Sequence, residues 1–150
     1  MSPEEAIIVN LEARLRLLTT VNGFSCDAGE RVYQNLEYAT VPDERPLITY
    51  YPGELSSGID GDIPPGLGEL NNFLPIVIEA FVDDQERGEA GDQLKRDITT
   101  LIRSDGSFGG VAEMISGYQI KATATPQEGG DGGFFSVVRI EFTIFFVTAA

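Results

Sequence analysis

The run FFSVVRIEFTIFFV, residues 134–147, constrains the fold of this chain more than any other feature of its sequence. Successive side chains of a strand point to opposite faces, and here one face is apolar throughout. That face comprises Val138, Ile140, Phe142, Ile144 and Phe146. The opposite face is polar in the middle and becomes apolar again at Phe145 and Val147. A strand this long and this apolar requires a sheet with at least one covered face.

Further strands are predicted on both sides of the chain's midpoint. Residues 118–125, YQIKATAT, alternate between apolar and polar side chains, and the glycine-rich turn 128–133 joins them to the long strand as an antiparallel hairpin. Residues 47–51 and 73–82 are rich in β-branched and aromatic side chains and predict two more strands. Residues 31–36 predict a short fifth strand.

Two helices are predicted from apolar spacing and end signals. Ser2 is a good N-cap, Pro3 suits the first helical position, and Glu5 completes a capping box for a helix over residues 3–20. A second apolar stripe predicts a helix over residues 86–103. The connection at 104–117 is glycine-rich, and we expect a short helical turn near residues 112–115.

These elements predict one α+β domain over residues 1–150. Its core would be a mostly antiparallel sheet of four to five strands packed with two main helices. The 150 residues, of which 42% are hydrophobic and 23% charged, are enough for one folded core. Both faces of the last strand are apolar near its ends. The second face must therefore be covered by a partner, or by the first helix and the 104–117 connection.

A long acidic loop is predicted at residues 56–72, SSGIDGDIPPGLGELNN. Asp60 and Asp62 resemble the start of a calcium loop, but the fifth and twelfth positions are Pro64 and Asn71, which breaks the ligand pattern. Its glycines match neither of the phosphate-binding fingerprints. We therefore predict an arm that becomes ordered by contact with a neighbouring subunit or another protein, and no metal or cofactor.

Composition excludes several classes of function. The chain has no histidine and a single cysteine, Cys26, which argues against histidine-based catalysis, thiolate metal sites and an internal disulfide. Its formal net charge of −14 argues against a free DNA-binding module. No apolar run is long enough to cross a membrane, and the N-terminus lacks a basic leader, so we expect a protein made in the cytoplasm.

The order and pattern of these segments resemble the tail terminator proteins of long-tailed bacteriophages, the lambda-like tail-tube caps. The resemblance is carried by four segments. They are EEAIIVNLEARLRLL, FLPIVIEAFVDD, DQLKRDITTLIRSD and the closing VVRIEFTIFFV. It covers most of the chain as architecture and rests on no short invariant motif.

This resemblance implies a structural virion protein, not an enzyme, that forms a ring, usually of six copies, at the neck of the particle. Such a ring caps the tail tube, stops its polymerisation and joins the tail to the head connector. DNA would pass through the bore without specific binding, repelled by acidic side chains. Candidate bore-facing acids are Asp83, Asp84 and Glu86. Candidate subunit or tube contacts are Ile59, Asp60, Asp62, Ile63, Leu67, Phe145 and Val147.

Three other hypotheses stay open at the level of sequence. Head-completion and other neck proteins of phages are also small α+β ring subunits. A small acidic metal-dependent enzyme could use Asp60, Asp62, Asp83 or Asp84, although the absence of histidine weighs against it. A monomeric adaptor domain would share the same composition.

Overall fold

The computed structural model describes residues 1–37, 44–59, 69–110, 112, 114–115, 119–130 and 132–149. These residues form two α-helices and seven strands. In chain order they are α1 (Pro3–Leu15), β1 (Val32–Gln34), β2 (Leu47–Pro52), β3 (Ser56–Ile59), β4 (Glu69–Asp84), α2 (Glu89–Arg103), β5 (Met114–Ile115), β6 (Lys121–Glu128) and β7 (Phe134–Ala149). The predicted α+β class is confirmed.

A single mixed sheet contains all seven strands. Five of them follow one another across the sheet in the order β1-β2-β4-β7-β5. In addition, β3 pairs with the start of β4 and β6 pairs with the first half of β7. The central pair, β4 and β7, is antiparallel over sixteen residues, from Glu69 opposite Ala149 to Asp84 opposite Phe134. Only β1 and β2 run parallel among the described pairs.

The predicted number of four to five strands was too low. The sequence lacks an alternating apolar pattern at β3 and β5, which are four and two residues long. Both strands depend on pairing with an edge of a longer strand, so the local sequence gives no sign of them.

The helices cover one face of the sheet, here called the inner face. The predicted apolar face of β7, from Val138 to Phe146, lies here and is at most 4% exposed. It packs in one core with apolar side chains of α1 and α2. Those side chains are Ile7, Leu11, Leu15, Leu94, Ile98 and Ile102. The layer arrangement of two helices on one sheet face is thus set by the apolar side of β7.

Helix α1 begins as predicted and ends earlier. The backbone N–H of Glu5 donates to Ser2 Oγ at 3.2 Å, which confirms the N-cap. The helix ends at Leu15 instead of residue 20, because the N–H groups of Leu17 and Leu18 bond to carbonyls only three residues back. This tightening turns the chain toward the segment that carries Gly29.

The connection after α2 contains a strand where a helical turn was predicted. Met114 and Ile115 pair with Phe145 and Ile144 of β7, so the prediction of a helical turn at residues 112–115 was wrong. Beyond Glu141 this edge of β7 is not paired with β6, and its backbone groups are available to β5.

The two ends of the predicted loop at residues 56–72 are strands that pair with each other in a hairpin. Ser56–Ile59 forms β3 and pairs with residues 70–73 of β4, which corrects the loop assignment there. Asn72, only 3% exposed, fixes this hairpin to β7 by donating to the carbonyl of Phe146 at 3.1 Å. We call β3 and residues 69–73 the arm. The candidate contacts Asp60, Asp62, Ile63 and Leu67 lie outside the described residues.

The turn after α2 carries Asp105, the described carboxylate whose pKa is shifted furthest from its ordinary value. Asp105 accepts hydrogen bonds from the hydroxyl and N–H of Ser107 and from the N–H of Gly109. These bonds, the hydroxyl first, lower the pKa of Asp105 to about 2, and Arg14 at 3.5 Å adds to the effect.

Acid should therefore weaken the fold through Asp105. A carboxylate whose pKa is lowered on folding stabilises the native state above its ordinary pKa of 3.8, and this contribution is lost as pH falls through about 2. We expect Asp105→Asn to lower the free energy of unfolding at neutral pH. Between pH 5 and 2 the free energy of unfolding of this variant should fall less steeply than that of the original protein. Urea unfolding of both proteins across this range measures the effect. Equal pH slopes for the two proteins would contradict it.

Candidate functional site

Described residues cover the second face of the sheet, here called the outer face, at one end. Leu47, Phe81 and Phe135 form a small separate cluster there, at most 8% exposed. The guanidinium of Arg45 lies 4.5 Å from the ring centroid of Phe135 and bonds to Asp83 at 2.8 Å. Arg45, which lies just before β2, thus covers this end of the face.

At the arm end the described side chains of the outer face are partly exposed, and we call this end open. Phe73 is 39% exposed, and its ring centroid lies 5.3 Å from that of Phe145. Pro75, Val77 and Val147 share the face with them and are half-buried. We call these five side chains the apolar strip. Apolar side chains that are adjacent on an open sheet face are typical of a surface that binds another protein.

A groove crosses the outer face beside the apolar strip. Two adjoining cavities of about 480 and 190 Å³ share Val77. Their outer-face lining comes from β2, β4, β7 and β6. It consists of Tyr51, Pro75, Val77, Glu79, Lys121, Arg139, Glu141 and Thr143. The groove therefore spans three strand spacings, roughly 14 Å.

Charges of both signs line the groove. Arg139 bonds to Glu141 at 2.9 Å and to Glu79 at 3.7 Å. Lys121 lies directly opposite Glu141 in the sheet register and forms no ion pair within the described residues. Among the described strand residues of the outer face, together with Arg45, four are acidic and three are basic. They are Glu69, Glu79, Asp83 and Glu141 against Arg45, Lys121 and Arg139. In a chain of net charge −14, the charges of these described residues nearly balance.

The candidate bore-facing acids lie at the far end of β4 from the arm. The strand runs fifteen residue steps from Glu69 to Asp84, so the two ends are about 50 Å apart. Asp83 is paired with Arg45, and the side chain of Glu86 is exposed. The candidate bore-facing acids and the described candidate contacts, Phe145, Val147 and the backbone of Ile59, therefore lie at opposite ends of the β4–β7 ladder.

Asp84 has a structural role at the start of α2. One carboxylate oxygen accepts from the backbone N–H of Ala90 at 3.1 Å, and the other accepts from Gly91 at 2.8 Å. The hydroxyl of Ser136 donates to it at 2.6 Å. Burial alone would raise the pKa of Asp84, but these hydrogen bonds outweigh burial and hold the pKa below its ordinary value.

Replacing Asp84 by alanine should destabilise the protein by about 2 kcal/mol, because it removes the cap of α2 and leaves the hydroxyl of Ser136 without its acceptor. Thermal or urea unfolding measures this loss. Glu86→Ala is the matched control, since Glu86 is exposed and should contribute less than about 0.5 kcal/mol. Equal stabilities of the two variants would show that the cap contributes nothing.

Of the candidate contacts, Phe145 and Val147 lie on the open outer face, and the backbone of Ile59 pairs with Leu70 in the arm. Sequence reasoning missed Phe73, Pro75 and Val77 on the neighbouring strand. The signal was present, because residues 73–78 are apolar at every position, and a strand with one face in water should alternate.

Other kinds of site find little support in the described part of the chain. No group of three or more metal-ligating side chains occurs there. Burial, followed by Asp97 and Asp27, raises the pKa of the Cys26 thiol, which makes it a poor nucleophile. Among the described helices, none has the length and apolar character needed to span a bilayer.

A scan against protein-family models and a search of curated proteins found no match to this chain. The fold and the outer face thus define an α+β domain with one sheet face covered by helices and the other partly open.

Proposed function

We propose that this protein is a structural subunit of a phage tail, and specifically the tail terminator. In this role six copies form a ring that caps the tail tube, stops its polymerisation and joins it to the head connector. The protein would act by binding other proteins and would catalyse no reaction.

The observation that carries this proposal is the open end of the outer face. Burying Phe73, Phe145 and Val147 against a partner would be favourable by about 25 cal/mol for each Å² of apolar surface removed from water. The arm extends the same end of the sheet, and its backbone is fixed by Asn72 and Phe146. Together they provide a surface for protein contact.

The charge distribution supports passage of DNA. The described strand residues of the outer face nearly balance in charge, whereas the chain carries −14, so a ring built through that face would leave acids on its remaining surfaces. Acidic walls repel the phosphate backbone and prevent adhesion, as a bore requires. This argument applies equally to another neck protein, and only the partner distinguishes the two.

Binding to the tail tube tests the proposal directly. The purified chain is mixed with tubes assembled from a phage tail tube protein, and the tubes are imaged by negative-stain electron microscopy. A terminator places a ring at one tube end and arrests elongation when it is added to a growing tube. Binding to the head connector with no effect on tubes would identify another neck protein instead. Failure to bind either component would overturn the proposal.

Deleting residues 57–68 should abolish capping without unfolding the domain. The deletion removes most of β3, whereas Asn72 keeps its bonds to Phe146 and Thr148. We expect unchanged far-ultraviolet circular dichroism, a loss of less than about 2 kcal/mol of stability, and at least tenfold weaker tube binding. The matched control replaces the same residues by a glycine-serine linker of equal length. Loss of the folded state would show that the segment belongs to the core.

A further inference from the structure

Helix α1 has an unusual second apolar side. Ile7, Leu11 and Leu15 face the core, yet Val9 and Leu17 on the other side are 54% and 51% exposed. Ala13 lies between them and is also exposed. Val9 and Ala13 are four residues apart, so they lie in one line on the surface of α1 away from the sheet. Leu17 lies in the tightened turn just after the helix ends at Leu15. We call these three side chains the α1 stripe. A helix that is apolar on two sides is typical of one covered on both.

The α1 stripe and the groove are on opposite sides of the domain. Helix α1 packs on the inner face, where the hydroxyl of Tyr50 donates to Glu12 at 3.1 Å, and the stripe faces away from the sheet. The groove lies on the outer face. One molecule cannot bring the two surfaces together, whereas two copies stacked in the same orientation can.

We propose that the α1 stripe of one copy docks in the groove of the next copy, head to tail. This inference deepens the proposed function and rests on it for the ring. A contact between two different surfaces of the same chain generates a ring when the rotation between copies closes. A face-to-face dimer would instead use the groove twice and leave both α1 stripes in water.

The two surfaces match in length. From Val9 to the end of α1 at Leu15 the helix advances six residues at 1.5 Å each, about 9 Å, and the turn that carries Leu17 extends the stripe further. The groove spans roughly 14 Å across the strands. Val77 and Pro75 line its apolar part, where Ala13 at the centre of the stripe would lie. A small side chain at that position allows the helix to approach the sheet closely.

The two surfaces also match in charge. Glu5 lies one turn before Val9 on the exposed side of α1, and Arg16 lies beside Leu17. In the groove, Lys121 occupies the β6 end, and Glu79 occupies the end toward β2. Arg16 already pairs with Glu12 and Glu79 with Arg139, each at 3.7 Å, so the orientation of docking is set by Glu5 toward Lys121. The near balance of charge among the described strand residues of the outer face also limits repulsion between copies.

The size of the contact predicts concentration dependence. The open part of β7, from Arg139 to Val147, is about 26 Å long, and the groove width gives roughly 400 Å². A stable pairwise interface buries about 800 Å² on each partner. One contact alone is therefore weak, and ring closure, in which each copy makes the contact twice, should produce a cooperative transition from monomer to ring.

Charge exchange tests the orientation in the isolated protein. Light scattering after size exclusion, from micromolar to millimolar concentration, gives the midpoint of assembly. We expect Glu5→Lys and Lys121→Glu each to raise this midpoint roughly fivefold, and the double variant to restore it. Ala13→Glu should raise it by about a hundredfold or more, because it buries an unpaired charge. Arg103→Glu, exposed on α2, is the control and should change nothing.

Cross-linking tests the two surfaces directly. In a Cys26→Ser background, Ala13→Cys protein is mixed with Thr143→Cys protein and treated with a short thiol cross-linker. Head-to-tail docking predicts mixed cross-links and few between identical variants. Thr143→Cys homodimers alone would show a face-to-face dimer and overturn the inference, as would a monomer at millimolar concentration. Because no tail component is present, failure to cap tubes would leave this result unaffected.

Discussion

Replacing Phe108 by alanine is expected to lower the free energy of unfolding by about 3–5 kcal/mol. Its side chain is fully buried, and its ring is stacked on that of Phe142 with centroids 6.2 Å apart. The guanidinium of Arg14 also lies over the ring, 4.6 Å from its centroid. Removing the ring therefore opens a cavity between α1 and the sheet and takes away a cation–π contact as well.

The consequences of this substitution extend to Arg14. The guanidinium of Arg14, with 7% of the side chain exposed, donates to the carbonyls of Ile102 and Asp105 at 3.2 and 2.7 Å. Burial lowers the pKa of Arg14, and the charge of Asp105 opposes that effect. Without the ring of Phe108, this buried cation would lack the aromatic surface that it packs against. The decrease in the free energy of unfolding of Phe108→Ala should therefore approach the upper end of the range of about 3–5 kcal/mol.

Urea unfolding followed by circular dichroism measures the loss at Phe108. The matched control is Phe108→Leu, which keeps most of the volume and should cost less than about 1.5 kcal/mol. Both variants keep a residue other than glycine at a backbone φ of +50°, so backbone strain is the same in each. A Phe108→Ala protein as stable as the leucine variant would show that the ring contributes no packing energy.

Replacing Gly29 by alanine is expected to cost about 3 kcal/mol, although it adds a single methyl group. A Cβ at this position would lie 2.7 Å from the carbonyl oxygen of Arg16 and 2.8 Å from those of Leu15 and Leu18. All three are backbone atoms at the end of α1, so no side-chain rotation can relieve the contact. The N–H of Gly29 also donates to Leu18 at 2.8 Å, which fixes the two segments together.

The matched control for Gly29 is Gly106→Ala. A Cβ at Gly106 would meet no atom within 4 Å, so the free energy of unfolding should change by less than about 1 kcal/mol. Alanine also restricts the unfolded chain more than glycine does, which favours the folded state. Thermal and urea unfolding of both variants give the comparison. Similar stabilities for the two would show that α1 can move away from Gly29 without loss.

Local patterns predicted the long elements of this fold well. The alternation of residues 134–147 identified the inner face of β7, and the signals at Ser2 and Pro3 identified the start of α1. These features depend on residues close in sequence. The strands β3 and β5 could not be predicted, because they are only four and two residues long and form by pairing with longer strands, β4 and β7, rather than through an apolar pattern of their own.

The open outer face was predicted in part. Phe145 and Val147 were recognised because they interrupt the polar side of β7. Their neighbours Phe73 and Val77 were missed, because residues 73–78 are apolar on both faces of the strand. The register with the partner strand decides which of these two faces is buried. The covering of the other end by Arg45 depends on a non-local contact with Phe135 that no sequence pattern indicates.

The acids near the end of β4 illustrate a different limit. Asp83 and Asp84 are adjacent and identical in type, so composition assigns them the same role on the surface. The pleat places their side chains on opposite faces of the strand. Asp84 thus meets the start of α2 and Ser136, whereas Asp83 meets Arg45.

The full-length pairing of β4 with β7 has a consequence for how the chain folds. Paired residues of these strands are separated by about 50 to 80 positions, whereas those of β6 and β7 are joined by a short turn. The β6–β7 hairpin can form within microseconds, but the closure of the sheet is non-local and should take milliseconds to seconds. During synthesis, β4 emerges from the ribosome well before its main partner. Until residues 134–149 follow, its apolar side chains and unpaired backbone remain open to aggregation or to a chaperone.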